Sequence, residues 1–147
     1  MQIQTWKKLI MLSVLGVLTS VSAHAQAGKQ FTVTIPFNFY VAGKTLPAGQ
    51  YHVGRSTEDA EGLVLRGTDG RTGVFVLTRG IQTAEFQQQS KLVFRRYGDQ
   101  YFLGEVWISA RSNGRELPNS RKERLVKQEN FKLGAKPEKV AVVGDKP

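Results

Sequence analysis

The chain of 147 residues contains no cysteine. That absence excludes a disulfide framework, a thiol nucleophile, thiolate metal ligands and lipid attachment through an N-terminal cysteine. Histidine is nearly as scarce, with His24 and His52 the only two. A zinc centre built from several His or Cys ligands is thereby excluded, and a serine-histidine-acid triad would have to use His52. No G-x-S-x-G pattern surrounds any serine. The one glycine-rich turn, Arg66-Gly67-Thr68-Asp69-Gly70, lacks the lysine and the following helix of a phosphate loop. Acid is in the minority, with 12 Asp and Glu against 21 Lys and Arg. Long apolar runs are missing too. The greasiest stretch, Leu9 to Leu18, is interrupted by Ser13 and Gly16, and it has half of the about 20 residues that a spanning helix needs.

What that short stretch does resemble is the core of an export signal. Lys7 and Lys8 precede it, no acid accompanies them, and Ala23-His24-Ala25 follows as the small-x-small pattern at which signal peptidase cuts. Residues 1–25 are therefore expected to be a signal peptide, cleaved between Ala25 and Gln26. The mature chain is then periplasmic or extracellular, without a transmembrane segment. Its 122 residues, with 19 basic against 12 acidic side chains and a formal charge of +7, suit a single domain whose core suffices without disulfides.

Phe31, Val33, Ile35, Phe37, Phe39 and Val41 alternate with Thr32, Thr34, Pro36, Asn38 and Tyr40. Period two over eleven residues is a half-buried strand. Pro36 cannot donate to a ladder, so the strand either runs along a sheet edge or breaks there and turns a corner between two sheets. Turn chemistry at Gly43-Lys44-Thr45 and Leu46-Pro47-Ala48-Gly49 hands the chain to Tyr51 and Val53. A polar loop, Ser56 to Gly62, precedes a hairpin of Leu63 to Arg66 with Val74 to Leu77, closed by Thr68-Asp69-Gly70-Arg71. Gln82 to Ser90 reads as a polar loop or mobile lid.

A last hairpin pairs Lys91–Tyr97 with Tyr101–Ser109. A three-residue loop, Gly98-Asp99-Gln100, segregates its faces. One collects Leu92, Phe94, Phe102, Val106 and Ile108; the other carries Lys91, Val93, Arg95, Tyr97, Tyr101, Leu103, Glu105 and Trp107. The second face mixes rings with charge, and Arg95, Tyr97, Tyr101, Glu105 and Trp107 are the candidate binding residues. Stacking rings flanked by charges would suit a sugar or lipid. The alternative is that the same rings pack beneath the C-terminal segment or in a sandwich core. Glu105 and Arg95 are expected as a cross-strand ion pair.

Past Arg111 the strand pattern fades. Ser120-Arg121-Lys122-Glu123 matches a capping box and opens a short helix near 121–130, with Gly134 as its stop. Residues 26–133 are expected to be one β-rich domain and 134–147 a disordered basic tail. Ten basic against five acidic residues from Arg111 onward give this quarter a net charge of +5. Such a flank either merely solvates the protein or attracts an anionic envelope polymer or lipid; export argues against nucleic acid.

The run Ile35-Pro36-Phe37-Asn38-Phe39, then Leu46-Pro47-Ala48-Gly49-Gln50-Tyr51, Tyr101-Phe102-Leu103 to Glu105-Val106-Trp107, and Leu117-Pro118 before Ser120 to Glu123 resembles a family of small, uncharacterised exported bacterial β-domain proteins. The resemblance covers most of the mature chain. It implies export and a β-domain, and it brings no functional residues with it.

The expected architecture is all-β, an antiparallel sandwich or partly open barrel of about seven strands with one short C-terminal helix. No catalytic residue, metal or cofactor is expected. Glu58, Asp59 and Glu61 share a loop but lack the D-x-D-x-D-G spacing of a calcium site. His52 is expected on the surface of its strand. The leading expectation is a non-enzymatic envelope or periplasmic protein that acts by binding or assembly, on an anionic polymer, a lipid or a protein partner. A hydrolase of an envelope or extracellular polymer is the alternative from another class. A third is a self-assembling structural subunit that pairs through the edge near Pro36.

Overall fold

A computed structural model describes residues 30–56 and 61–145 of the protein. The proposed signal peptide, together with Glu58 and Asp59 of the loop weighed as a cation site, lies outside the described residues. The described residues form an all-β sandwich with one helix and no closed barrel. Eleven strands are described, more than the about seven expected because the long runs break at turns and corners. Sheet A orders them β1(Phe31–Ile35), β4(Gly49–Arg55), β5(Gly62–Gly67) and β6(Gly73–Leu77), each antiparallel to its neighbour. Sheet B runs β11(Glu138–Val143), β8(Lys91–Tyr97), β9(Gln100–Trp107), β10(Asn113–Glu116) and β7(Arg79–Gln82). The small hairpin β2(Phe39–Val41) and β3(Lys44–Leu46) joins sheet B through a parallel bridge from Tyr40 to Phe102.

Pro36 marks the corner. The chain leaves sheet A after Ile35 and enters sheet B at Phe39, which uses proline where a ladder donor is not needed. Of the two segments expected as turns, Gly43 bends together with Ala42 before it, both with positive φ, and Pro47-Ala48 links β3 to β4, whereas Lys44 to Leu46 is strand.

Period two decides which side chains meet between the sheets. Val33, Ile35, Tyr51, Val53, Leu63, Leu65, Val74 and Val76 point in from sheet A; Phe39, Val41, Leu92, Phe94, Leu103 and Val106 meet them from sheet B. Phe39 lies edge-on to both Tyr51 and Phe94, at centroid distances of 5.4 and 5.5 Å. The buried Tyr51 hydroxyl donates to the Pro47 carbonyl at 2.7 Å, so the ring enters the core without an orphaned polar group.

The β8–β9 hairpin departs from the expected register. Its loop is Gly98-Asp99, with Tyr97 opposite Gln100 and Arg95 opposite Phe102. The ladder then shifts between Val93 and Phe94, so that Val93 faces Glu105 while Phe94 faces Leu103. Gly104 is the extra residue of this bulge, and a bulge inverts the alternation on its strand. Phe102 therefore points outward and Tyr101 and Leu103 inward, the reverse of the expected faces. Leu92, Phe94 and Val106 keep the core side.

Two further expectations are corrected. The segment 134–147 is not a disordered tail over its length: Glu138–Val143 pairs with Lys91 to Arg96 of β8, Val140 facing Phe94. The Asp145 N–H then donates to the Thr32 carbonyl of β1 at 2.8 Å. Alternating Val140 and Val142 pack against the core, which a lysine-rich composition concealed. The loop after Gln82 is tied down, since the N–H groups of Thr83 and Gln87 donate to the carbonyls of Ser112 and Arg111 at 2.8 and 3.0 Å.

Helix α1(Arg121–Lys132) lies against the outer face of sheet B. Ser120 Oγ caps it by accepting from the Glu123 N–H at 3.1 Å, and Gly134 ends it in the left-handed region at φ 72°.

Candidate functional site

Each sheet has an outer face, and the two differ in what covers them. On sheet B, the bulge brings Arg95, Tyr97, Phe102, Glu105 and Trp107 to the side under the helix. Arg95 Nε donates to Glu123 Oε1 at 2.5 Å and its Nη2 to Oε2 at 3.1 Å. The Glu123 side chain is 2% exposed and that of Arg95 14%. A fork-to-fork pair of this kind carries both charge and direction. Gly104 makes room for it: a Cβ there would stand 2.7 Å from Arg95 Nη1. Tyr97 is buried against Phe102 and Val126, and its hydroxyl donates to Glu123 Oε1 at 3.4 Å. Burial and then the Glu123 charge raise the Tyr97 hydroxyl above its ordinary pKa, against the opposing pull of Arg95.

The expected Arg95–Glu105 pair is not formed, because the bulge sets Glu105 opposite Val93. Glu105 instead accepts from Lys139 Nζ at 2.8 Å and from Trp107 Nε1 at 2.8 Å. Burial alone would raise its carboxyl. The hydrogen bonds from Lys139 and Trp107, with the charges of Lys139 and Arg95, outweigh that and hold it below the usual value. Trp107 is buried over Gly114, where a Cβ would meet its ring at 2.6 Å. Tyr101, turned inward, stacks on Phe37 at 3.8 Å with Arg96 over its ring. Four of the five candidate residues thus share a face and Tyr101 does not. None of the three rings is presented as an open stacking surface.

Among the described residues, no helix lies on the outer face of sheet A. One row of cross-strand neighbours runs Thr32, His52, Arg66, Gly73 over its four strands, and beside it runs Gly54, Val64, Phe75. The Thr32 hydroxyl and His52 Nδ1 lie 3.0 Å apart, and His52 is exposed as expected. Three adjoining pockets, of about 210, 570 and 560 Å³, all include Arg66 in their walls. Gly73 contributes no side chain beside it, and Lys44 and Arg71 stand at the rims. The nearby acid, Asp69, is spent on its own turn: it accepts from the Thr72 and Arg71 N–H groups and the Thr72 hydroxyl, bonds that lower its pKa in that order.

The ion pairs sharpen the contrast. Arg79–Glu116, Arg95–Glu123, Arg96–Glu138 and Lys139–Glu105 all belong to sheet B and its helix. Among the described residues, no carboxylate pairs with Arg66, Arg71 or Lys44. No group of three or more His, Cys, Asp or Glu side chains there is placed to hold a metal ion. No helix there is long and apolar enough to cross a membrane. The chain matches no protein family, no curated protein and no solved structure.

Sequence reasoning passed over the sheet A face because its outward residues alternate as any solvated strand does. Its usable signal was the placing of Gly73 at an outward position beside Arg66, where a residue without a side chain leaves space.

Proposed function

We propose that the protein is an exported, non-enzymatic envelope or periplasmic protein that binds anionic polymer or lipid on the outer face of sheet A. The observation that carries this reading is Arg66, with which no carboxylate among the described residues pairs, at the meeting of three pockets, with His52 beside it. A guanidinium in a hollow binds carboxylate or phosphate in a directed way, more than a cation on a convex surface can. The neighbouring Val64 and Phe75 offer apolar contact to the rest of the ligand. A hydrolytic reading would draw on Glu105, which is already held by Lys139 and Trp107. The exposed cations of α1, Arg121, Lys122, Arg124, Lys127 and Lys132, lie on the opposite side of the sandwich and act at a distance by raising the local concentration of anions.

The full-length chain, expressed in a Gram-negative host, is expected in the periplasmic fraction with a mass that begins at Gln26. Binding of that product to polygalacturonate and to phosphatidylglycerol vesicles distinguishes polymer from lipid. Arg66→Glu is expected to weaken the ligand that binds by about tenfold or more, and Lys127→Glu by less than about twofold. Equal losses in the two variants, or binding unchanged between low and high salt, would refute the assignment.

A further inference from the structure

A β-sandwich has sheet margins, and an unpaired margin is a template for another strand unless it is covered, short or charged. The two main strand orders end in four margins, three of them protected, and the hairpin strand β3 adds a further margin of three residues with Lys44 in it. On β1 the Asp145 N–H already bonds the Thr32 carbonyl. On β11, Glu138 and Lys139 stand at the start of the strand, and β7 is four residues long with Arg79 in it. The fourth is β6, Gly73-Val74-Phe75-Val76-Leu77, which has neither charge nor proline and pairs with β5 alone.

Its outward hydrogen-bonding groups can be assigned. At the two ends of the β5–β6 ladder, the Gly67 N–H donates to the Thr72 carbonyl and the Thr78 N–H to the Glu61 carbonyl, each at 2.8 Å. Alternation of bonded and non-bonded pairs then makes Leu65–Val74 and Leu63–Val76 the bonded ones. The N–H and C=O groups of Gly73, Phe75 and Leu77 point away from β5. Their side chains lie on the outer face, Phe75 55% and Leu77 64% exposed, so that both edge and face are apolar. A pocket of about 570 Å³ separates Gly73 to Phe75 from the turn at Ala42 and Lys44.

We infer that β6 is a self-pairing edge, at which two copies of the chain join antiparallel about a two-fold axis through Phe75. The strand is self-complementary in that register. Phe75 faces its own copy, Gly73 faces Leu77 of the second copy, and Val74 faces Val76 of the second copy on the core side. All three outward residues fall in bonded positions, giving about six new hydrogen bonds and one continuous eight-stranded sheet. The charge distribution selects this occupant. A chain of formal charge +9 repels its copies over most of its surface, whereas an acidic partner would find nothing to pair with on an uncharged strand. Arg66 and its copy stand several strands apart, beyond the range at which salt leaves their repulsion strong. The edge expected near Pro36 is the one that Asp145 occupies, so pairing moves to the far margin of the same sheet. Phe75 lies both on the two-fold axis and in the wall of an Arg66 pocket, so the pairing and the ligand site are told apart at Leu77, which lines none of the three Arg66 pockets.

The test is the mass of the processed protein by light scattering as its concentration rises, with single-cysteine crosslinking beside it. The wild-type chain is expected to pass from monomer to dimer, and Leu77→Lys to remain monomeric with an unchanged circular dichroism spectrum. Because the native chain has no cysteine, Phe75→Cys is expected to oxidise to a disulfide-linked dimer, and Thr34→Cys on the β1 margin is not. A wild type that stays monomeric at every concentration, with Phe75→Cys crosslinking no better than Thr34→Cys, overturns the proposal. A dimer that persists in the Leu77→Lys variant also overturns it and places the contact elsewhere. Loss of dimerisation with retained polymer or vesicle binding separates this result from the fate of the ligand site.

Discussion

The outer face of sheet B carries the rings and charges that stand out in the sequence, and it is covered; the outer face of sheet A carries inconspicuous residues, and no described element covers it. On sheet B every prominent group has an internal partner: Arg95 has Glu123, Glu105 has Lys139 and Trp107, and Tyr97 has Phe102 beneath α1. On sheet A the row Thr32, His52, Arg66, Gly73 carries a guanidinium with which no carboxylate among the described residues pairs. A mixed aromatic and charged stripe on a strand is therefore informative about packing a third layer. A site open to ligand is marked instead by charge left unbalanced next to residues too small to fill the space.

The largest effect that would break this contrast is expected from Glu123→Ala. It leaves Arg95 under the helix without its counter-charge and should cost about 3 kcal/mol, measured by urea unfolding, with loss of helical signal before the sheet signal. Next comes Gly104→Ala, whose Cβ would meet Arg95 Nη1 at 2.7 Å and the Val93 carbonyl at 3.3 Å. Displacing the guanidinium from Glu123 is expected to cost about 1–2 kcal/mol, seen as a lowered midpoint in the same unfolding experiment. Smaller again is the acid response of Glu105. Its folded pKa lies below the ordinary value, so its contribution is present above the unfolded pKa of about 4.3 and is lost as pH falls through the folded value. Glu105→Gln should remove that part of the acid-side decline in stability and leave the remainder. The smallest effect on folding belongs to Arg66→Glu, within about 0.5 kcal/mol of wild type, although its effect on anion binding is the largest of the set. A large loss of stability in that variant would show Arg66 to be structural and remove the contrast.

Much of the sandwich was legible because alternation is a direct image of a two-faced sheet. Phe31 to Ile35, Leu63 to Leu65 and Val74 to Val76 fall where period two puts them, Pro36 turns the corner between sheets, and Ser120 caps the helix. The bulge at Gly104 was not legible. A single extra residue inverts half a strand, and nothing in a pattern of period two announces where it sits. That inversion sends Tyr101 to the Phe37 ring and Phe102 to the helix, and it separates Arg95 from Glu105. The strand Glu138–Val143 was hidden for a different reason: Lys136, Pro137, Glu138 and Lys139 give the segment the composition of a tail, while its pairing depends on the free margin of β8, which exists only in the fold. The buried Arg95–Glu123 pair joins residues 28 apart in the chain. Either one read locally is a surface charge.

Chemical-shift mapping of the processed protein, titrated with whichever of polygalacturonate or phosphatidylglycerol it binds, tests the contrast between the two faces most directly. The account predicts perturbed resonances at Thr32, His52, Arg66 and Gly73, with Tyr97, Glu105 and Trp107 unmoved. Perturbations centred on Trp107 and Tyr97, with the sheet A row silent, would contradict it.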